Sequence, residues 1–272
     1  MPAFGRRRAL GQHFLRDRGI IDKIARTAVE EAHRLGCRAL LEIGPGRGAI
    51  TRPLLERLEK DPRGIERMIL AERDRSLAHD WHEASRDRLV HQPELIVEEC
   101  DFNELADERW LGTLPLAVAS NLPYSAGTAI LQKLARHPRE IPVMVLMFQA
   151  EVAARLRAEP GTKAWGSLSI WIQNSWDVRK LCAAPPGAFA PPPDVDSEVV
   201  VLTRREQPRV KVTDPERWEA LLKTSFMHRR KMLRSGLPEG TYRAALERSG
   251  IEPTLRAEAL SWEQWQHFYE AL

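Results

Sequence analysis

Only three cysteines occur in 272 residues, at positions 37, 100 and 182, and no two of them form a CxxC pair. An odd, dispersed set excludes a disulfide framework and a cysteine zinc site, and it fits a reducing cytoplasm. Unbroken apolar runs are also missing. The longest uncharged stretch, residues 110–132, is interrupted by Pro115, Asn121, Pro123 and two glycines, so no membrane helix is expected. No apolar segment or small-residue cleavage site follows the basic start MPAFGRRRALGQHF, and no signal peptide is expected. GxSxG and GxxxxGKS elements are absent, and His79 and His82 lack the spacing and companion acid of a zinc helix. Hydrolase, kinase and metalloenzyme readings drop out, and no metal is expected. There is no internal repeat and no low-complexity tract.

What is present is an ordinary soluble composition, 43% apolar and 29% charged, enough for a packed core. Net charge is only +3, but it is unevenly spread. Residues 1–26 hold seven Lys/Arg against two Asp/Glu, and residues 205–236 hold nine against four, so two basic segments flank an acidic middle. Such clusters are either plain solvated surface or a two-part footprint for a polyanion.

From Ala39 to Arg204 short apolar runs alternate with helix-like stretches, the pattern of βαβ units around a mostly parallel sheet. Seven runs are candidate strands: 39–43, 68–72, 95–99, 116–120, 142–148, 167–173 and 197–202. Residues 49–60, 75–88 and 126–136 read as crossover helices. Beyond the proline-rich loop 185–196 and the last strand the texture becomes helical, with Asp214-Pro215 as a helix start and Ser261 capping a final helix. Leu221, Leu222, Phe226, Leu233, Tyr242, Ala245 and Leu246 recur at helical spacing as a small core. The expected fold is an α/β Rossmann-like seven-stranded domain, residues 1–204, followed by a small all-α domain, residues 205–272.

Four strand ends carry chemistry. EIGPGRG, residues 42–48, lies between a strand and a helix, where glycines permit a tight turn and close backbone approach. Its GxGxG spacing is not the GxGxxG of dinucleotide binders. Glu72 ends the second strand, 28 residues beyond Gly44, where a carboxylate accepts from both hydroxyls of a ribose; the alternative is a pairing with Arg73 or Arg75. Asp101 follows the third strand, in reach of an adenine amine. A nucleoside crevice rich in acids, with no phosphate contact demanded, points to S-adenosyl-L-methionine, whose sulfonium and ammonium groups are cationic.

The fourth end is NLPYS, residues 121–125. Adenine N6 is a poor nucleophile because its lone pair is delocalised into the ring. The Asn121 oxygen and the Leu122 carbonyl can accept its two protons and favour a pyramidal nitrogen. Pro123 fixes the turn, and Tyr124 offers a flat face to an extruded base. The alternative is an ordinary strand-to-loop turn.

These motifs, together with RRRALGQHFL (6–15), FQAEVAARLRAEPGTKAWGSLS (148–169), PPGAFAPPPDVDSEVV (185–200) and FMHRRKMLR (226–234), resemble the KsgA/RsmA family of ribosomal RNA adenine dimethyltransferases, whose relatives are Dim and Erm. The resemblance covers nearly the whole chain. It implies that His13 and Leu15 touch the methionine part of the cofactor, and that Gly44, Glu72, Asp101 and Asn121 hold the rest. Asn121 and Tyr124 become the catalytic and stacking pair. Phe189 becomes the second aromatic against the flipped adenine, the alternative being a buried loop anchor. The implied substrate is a pair of adjacent adenines in the 3′-terminal hairpin loop of small-subunit RNA, dimethylated at N6 late in assembly on the immature 30S particle. Arg6, Arg7, Arg8, Arg229, Arg230 and Lys231 are then expected to grip phosphates. Trp165 stands where relatives tend to have Tyr, the 60–67 insertion sits away from the motifs, and His13 stands where many bacterial members have Asn. Two competing readings are an Erm-like enzyme acting on large-subunit RNA and an RNA-binding assembly factor without catalysis. A monomer is the default.

Overall fold

The computed structural model describes residues 13–61, 63–86 and 93–272. Apolar runs bounded by turn formers become the strands β1 (Ala39–Ile43), β2 (Arg67–Glu72), β3 (Glu94–Glu99), β4 (Leu116–Asn121), β5 (Val143–Gln149), β6 (Trp176–Ala184) and β7 (Ser197–Arg204). They form one sheet in the order β3-β2-β1-β4-β5-β7-β6. β1 to β5 pair in parallel and β7 runs antiparallel to β5. β1, β4 and β5 are buried almost throughout, which a parallel sheet needs because helices cover both its faces. The chain runs outward from β1 to β2 and β3, then returns past β1 to β4. Connections therefore leave β1 and β4 in opposite directions, and a crevice opens at their carboxyl ends.

Four helices matter for that crevice: α1 (Arg18–Arg34), α2 (Thr51–Lys60), α3 (Arg75–Arg86) and α4 (Gly127–Ala135). α1 starts where the Asp17 carboxylate accepts the Ile20 amide at 3.0 Å, and it buries Ile20, Ile24, Ala28 and Ala32 at four-residue spacing. A fully buried isoleucine such as Ile24 contributes about 1.5–3 kcal/mol of transfer free energy, and each alanine methyl about 0.8 kcal/mol. Ahead of α1, Phe14 and Leu15 pair antiparallel with Ala190 and Phe189, and the Arg16 amide donates to the Ala188 carbonyl at 2.8 Å. The segment 13–16 is thereby fastened beside the sheet.

The chain separates into a unit of residues 1–153 with 178–204 and a second of 154–177 with 205–272. Two expectations need correction. The run 167–173, expected as a strand, is the helix α5 (Ser167–Ser175). Its alternating Leu168, Ile170 and Ile172 mimic a strand, but the Ser169 hydroxyl accepts the Gly166 amide at 3.1 Å and starts a helical turn. The seventh strand is instead β6, whose charged residues are exposed and hide the strand pattern. The division at residue 204 also splits a packed set. Trp165 and Ile170 belong to the helical core, and the buried Asn174 amide bonds both the amide and the carbonyl of Val210.

Within the second unit, Leu221, Leu222, Leu233, Ala245 and Leu246 are buried with Phe226 and Tyr242 packed against them, as the spacing predicts. Asp214 caps the helix α6 (Pro215–Phe226), and Ser261 with Gln264 makes a capping box for α7 (Trp262–Glu270).

Candidate active site

One cleft in the first unit is lined by the segments at the ends of β1 to β4 together with residues 13–15. Of the residues singled out in the sequence, His13, Leu15, Gly44, Glu72, Asp101, Asn121, Leu122 and Tyr124 all line it.

Its floor is the turn after β1. Gly44 and Gly46 have φ of 68° and 55°, the left-handed region that favours glycine. The Gly44 amide donates to the Ala71 carbonyl at 2.8 Å, and a Cβ on Gly46 would lie 3.3 Å from the Phe14 ring. The Trp81 indole N–H donates to the Gly46 carbonyl at 2.9 Å and braces the turn from below.

Glu72 holds that turn from the side. Its carboxylate accepts the Gly46 amide at 2.9 Å and the Asp74 amide at 2.8 Å, and the residue is only 4% exposed. Burial raises its pKa, and the amides pull the other way. Each oxygen retains a lone pair for a further donor. No ion pair with Arg73 or Arg75 competes: Arg73 lies 3.3 Å from Asp101, and Arg75 lies 3.9 Å from Glu99. Asp101 also accepts the Asn103 amide at 3.0 Å.

The sequence reading passed over Glu42, on the same wall. It is 2% exposed, and among the described residues its Oε2 has no hydrogen-bond partner. Burial lifts its pKa to about 8, the neighbouring Thr51 hydroxyl offsets part of this, and the Glu72 charge adds to it. A carboxylate inside the otherwise apolar run ALLEI was the available signal.

This predicts a pH dependence. The folded carboxyl stays protonated up to about 8, whereas the unfolded one ionises near 4.5. The folded state therefore holds the extra proton across that window, and stability falls as pH rises through it. Glu42→Gln removes this slope. Between pH 5.5 and 8.5 the wild-type Tm is expected to fall by roughly 5 °C more than that of the variant in thermal denaturation. Parallel Tm profiles would contradict the assignment.

At the end of β4, Ser120 donates to the Ile43 carbonyl at 2.5 Å and ties the strand to β1. Asn121 follows with its side-chain oxygen buried and without a partner among the described residues. The Pro123 carbonyl accepts the Ala126 and Gly127 amides at 3.1 and 2.8 Å and starts α4. Tyr124 projects from this turn. Its hydroxyl is 2.5 Å from that of Ser197, and burial raises its pKa while Ser197 lowers it. The phenol is thus neutral at physiological pH. The His13 ring lies against it, centroids 5.6 Å apart, and its Nδ1 donates to the Pro191 carbonyl at 2.9 Å.

Phe189, expected against the substrate base, is not on the cleft wall. It is 1% exposed and packs in the hydrophobic core opposite Leu15, so it is the buried loop anchor. Arg229 is not a free cation either: it pairs with Glu258 at 2.8 Å and donates to the Lys163 carbonyl at 2.7 Å. Arg230 and Lys231 are exposed. Arg6, Arg7 and Arg8 lie outside the described residues. Among the described residues no cluster of three or more His, Cys, Asp or Glu forms a metal site, and no helix is long and apolar enough to cross a membrane.

The model of the ribosomal RNA adenine dimethylase family matches residues 3–272. Ribosomal RNA small subunit methyltransferase A of Xanthomonas oryzae pv. oryzae (strain PXO99A) is 38% identical over 258 residues, covering 93% of this chain and 91% of that protein. Among solved structures, the 23S rRNA methyltransferase ErmE aligns with a TM-score of 0.65 and 26% identity, over 95% of this chain and 99% of its own. A dimethyladenosine transferase from Plasmodium falciparum shares the fold, with a TM-score of 0.73 and 23% identity over 94% of this chain and 96% of its own.

Proposed function

The chain belongs to the ribosomal RNA adenine dimethylase family, and on that premise we propose that it dimethylates N6 of two adjacent adenines in the 3′-terminal hairpin loop of 16S RNA, with S-adenosyl-L-methionine as donor. The observation that carries this reading is the buried, unpartnered oxygen of Asn121, placed in one cleft with Glu72, Asp101 and the Tyr124 ring.

The cleft fits the donor. Gly44 leaves room for close approach, Glu72 has lone pairs for both ribose hydroxyls, and Asp101 suits the exocyclic amine of its adenine. The unpartnered Glu42 oxygen adds a neutral carboxyl, a hydrogen-bonding group, to the same wall. When bound, S-adenosyl-L-methionine supplies an electrophilic methyl group on sulfur. His13, bonded to the Pro191 carbonyl, and Leu15, paired with Phe189, line the cleft where the methionine part of the donor would lie.

The chain's own contribution is to present the nucleophile. Asn121 accepts one N6 proton and the Leu122 carbonyl the other, which withdraws the nitrogen lone pair from the ring. The turn fixed by Pro123 sets the direction of that carbonyl, and Tyr124 stacks the extruded base. Methylated N6 is strongly acidic until it loses its proton to water, so no tuned base is needed. Exposed Arg230 and Lys231 of the helical region, together with Arg6, Arg7 and Arg8, position the RNA through phosphates. The enzyme acts as a cytoplasmic monomer on the immature 30S particle, late in assembly.

Transfer of labelled methyl groups to immature 30S and 50S particles, followed by nucleoside analysis, tests the assignment. N6,N6-dimethyladenosine in the small subunit is the expected result. Label confined to the large subunit would support the Erm-like alternative, and no transfer to either would leave an RNA-binding factor.

A further inference from the structure

Tyr124 is half-buried on a turn, while its hydrogen-bond partner sits on a strand. Ser197 is the first residue of β7, 1% exposed, and it faces Gln149 of β5 in the antiparallel ladder. Strand pairing fixes the backbone at Ser197 and hence the region its hydroxyl can reach. A phenol carried by a turn is different: its ring swings about the Cα–Cβ bond unless its tip is held. The 2.5 Å contact holds it, and among the described residues Tyr124 is the one hydrogen-bonding partner of the Ser197 hydroxyl.

We propose that Ser197 is a positioning residue for methyl transfer: it fixes the tilt of the Tyr124 ring, so that the target adenine meets a prearranged face and its amino group is delivered to Asn121. The inference rests on the reading of Tyr124 as the stacking surface. Ser197 itself touches no substrate in this account; it acts through the phenol. The ordering cost of the ring is met when the protein folds rather than when RNA binds, which favours the reactive arrangement.

A double-mutant cycle on the full chain, with immature 30S particles as substrate, tests it. Ser197→Ala and Tyr124→Phe remove the same bond from opposite ends. Each is expected to lower kcat/KM for RNA roughly five- to tenfold, the scale of one hydrogen bond, with cofactor Kd unchanged. The double variant is expected to be no slower than Tyr124→Phe alone. Losses that multiply, or a Ser197→Ala enzyme with wild-type kcat/KM, would overturn the proposal. Should Ser197→Ala disturb the strand, Tyr124→Phe leaves β7 untouched, and wild-type kcat/KM in that variant would be equally fatal. Failure of the stacking reading itself looks different: Tyr124→Ala would then methylate as fast as wild type.

Discussion

Asn121→Ala is expected to abolish methyl transfer, lowering kcat by about a thousandfold or more, while cofactor binding is retained. The reason is geometric. The Asn121 oxygen is buried and has no partner among the described residues, so its desolvation is offset only when a donor arrives, and in the proposed function the adenine amino group is that donor. Its position does not depend on the bound base. β4 is locked to β1 by the Ser120 bond to Ile43 on one side, and α4 starts at the Pro123 carbonyl on the other. Alanine removes the acceptor and leaves this scaffold in place. Single-turnover methylation together with cofactor titration separates the two effects. A variant that retained substantial turnover would show that N6 is activated by other means.

Glu72→Gln should have the second largest effect, and it should fall on cofactor binding. Both carboxylate oxygens accept backbone amides, from Gly46 and from Asp74. A glutamine has one acceptor oxygen and an NH2 group, so one N–H faces another at 4% exposure. A buried amide left without its acceptor costs about 1–3 kcal/mol. The glycine turn loses its lateral support, and the ribose loses one of its two acceptors. Cofactor affinity is expected to fall about a hundredfold by calorimetric titration, with Tm lowered by roughly 5 °C. Undiminished affinity would remove Glu72 from the site.

Much of this was legible in the sequence because glycine, acid, acid and amide each mark a strand end, and a parallel sheet brings consecutive strand ends to one edge. The cleft unites them as the order of the motifs implies. What stayed hidden has local physical reasons. Residues 167–173 alternate like a strand, yet they pack as a helix against Val210 and Trp218, neighbours that no window around Ile170 contains. Phe189 sits in a proline-rich loop and is expected against the flipped adenine, with a buried anchor as the alternative, and its pairing with Leu15, 174 positions earlier, draws it into the core. Arg229 looks like one more phosphate ligand in a basic run until Glu258, far along the chain, is seen to hold it. Ser197 lies inside the motif 185–200, but that run does not show what the serine does until Tyr124 is found at its hydroxyl. Glu42 was the exception, visible as a charge in an apolar strand.

The most direct test of the central claim is a crystal structure of the protein with S-adenosyl-L-methionine. The account predicts the ribose hydroxyls on Glu72, the adenine amine at Asp101, and the methyl group directed toward the open space between Asn121 and Tyr124. An adenosyl group bound elsewhere, or a methyl group turned away from Asn121, would contradict it.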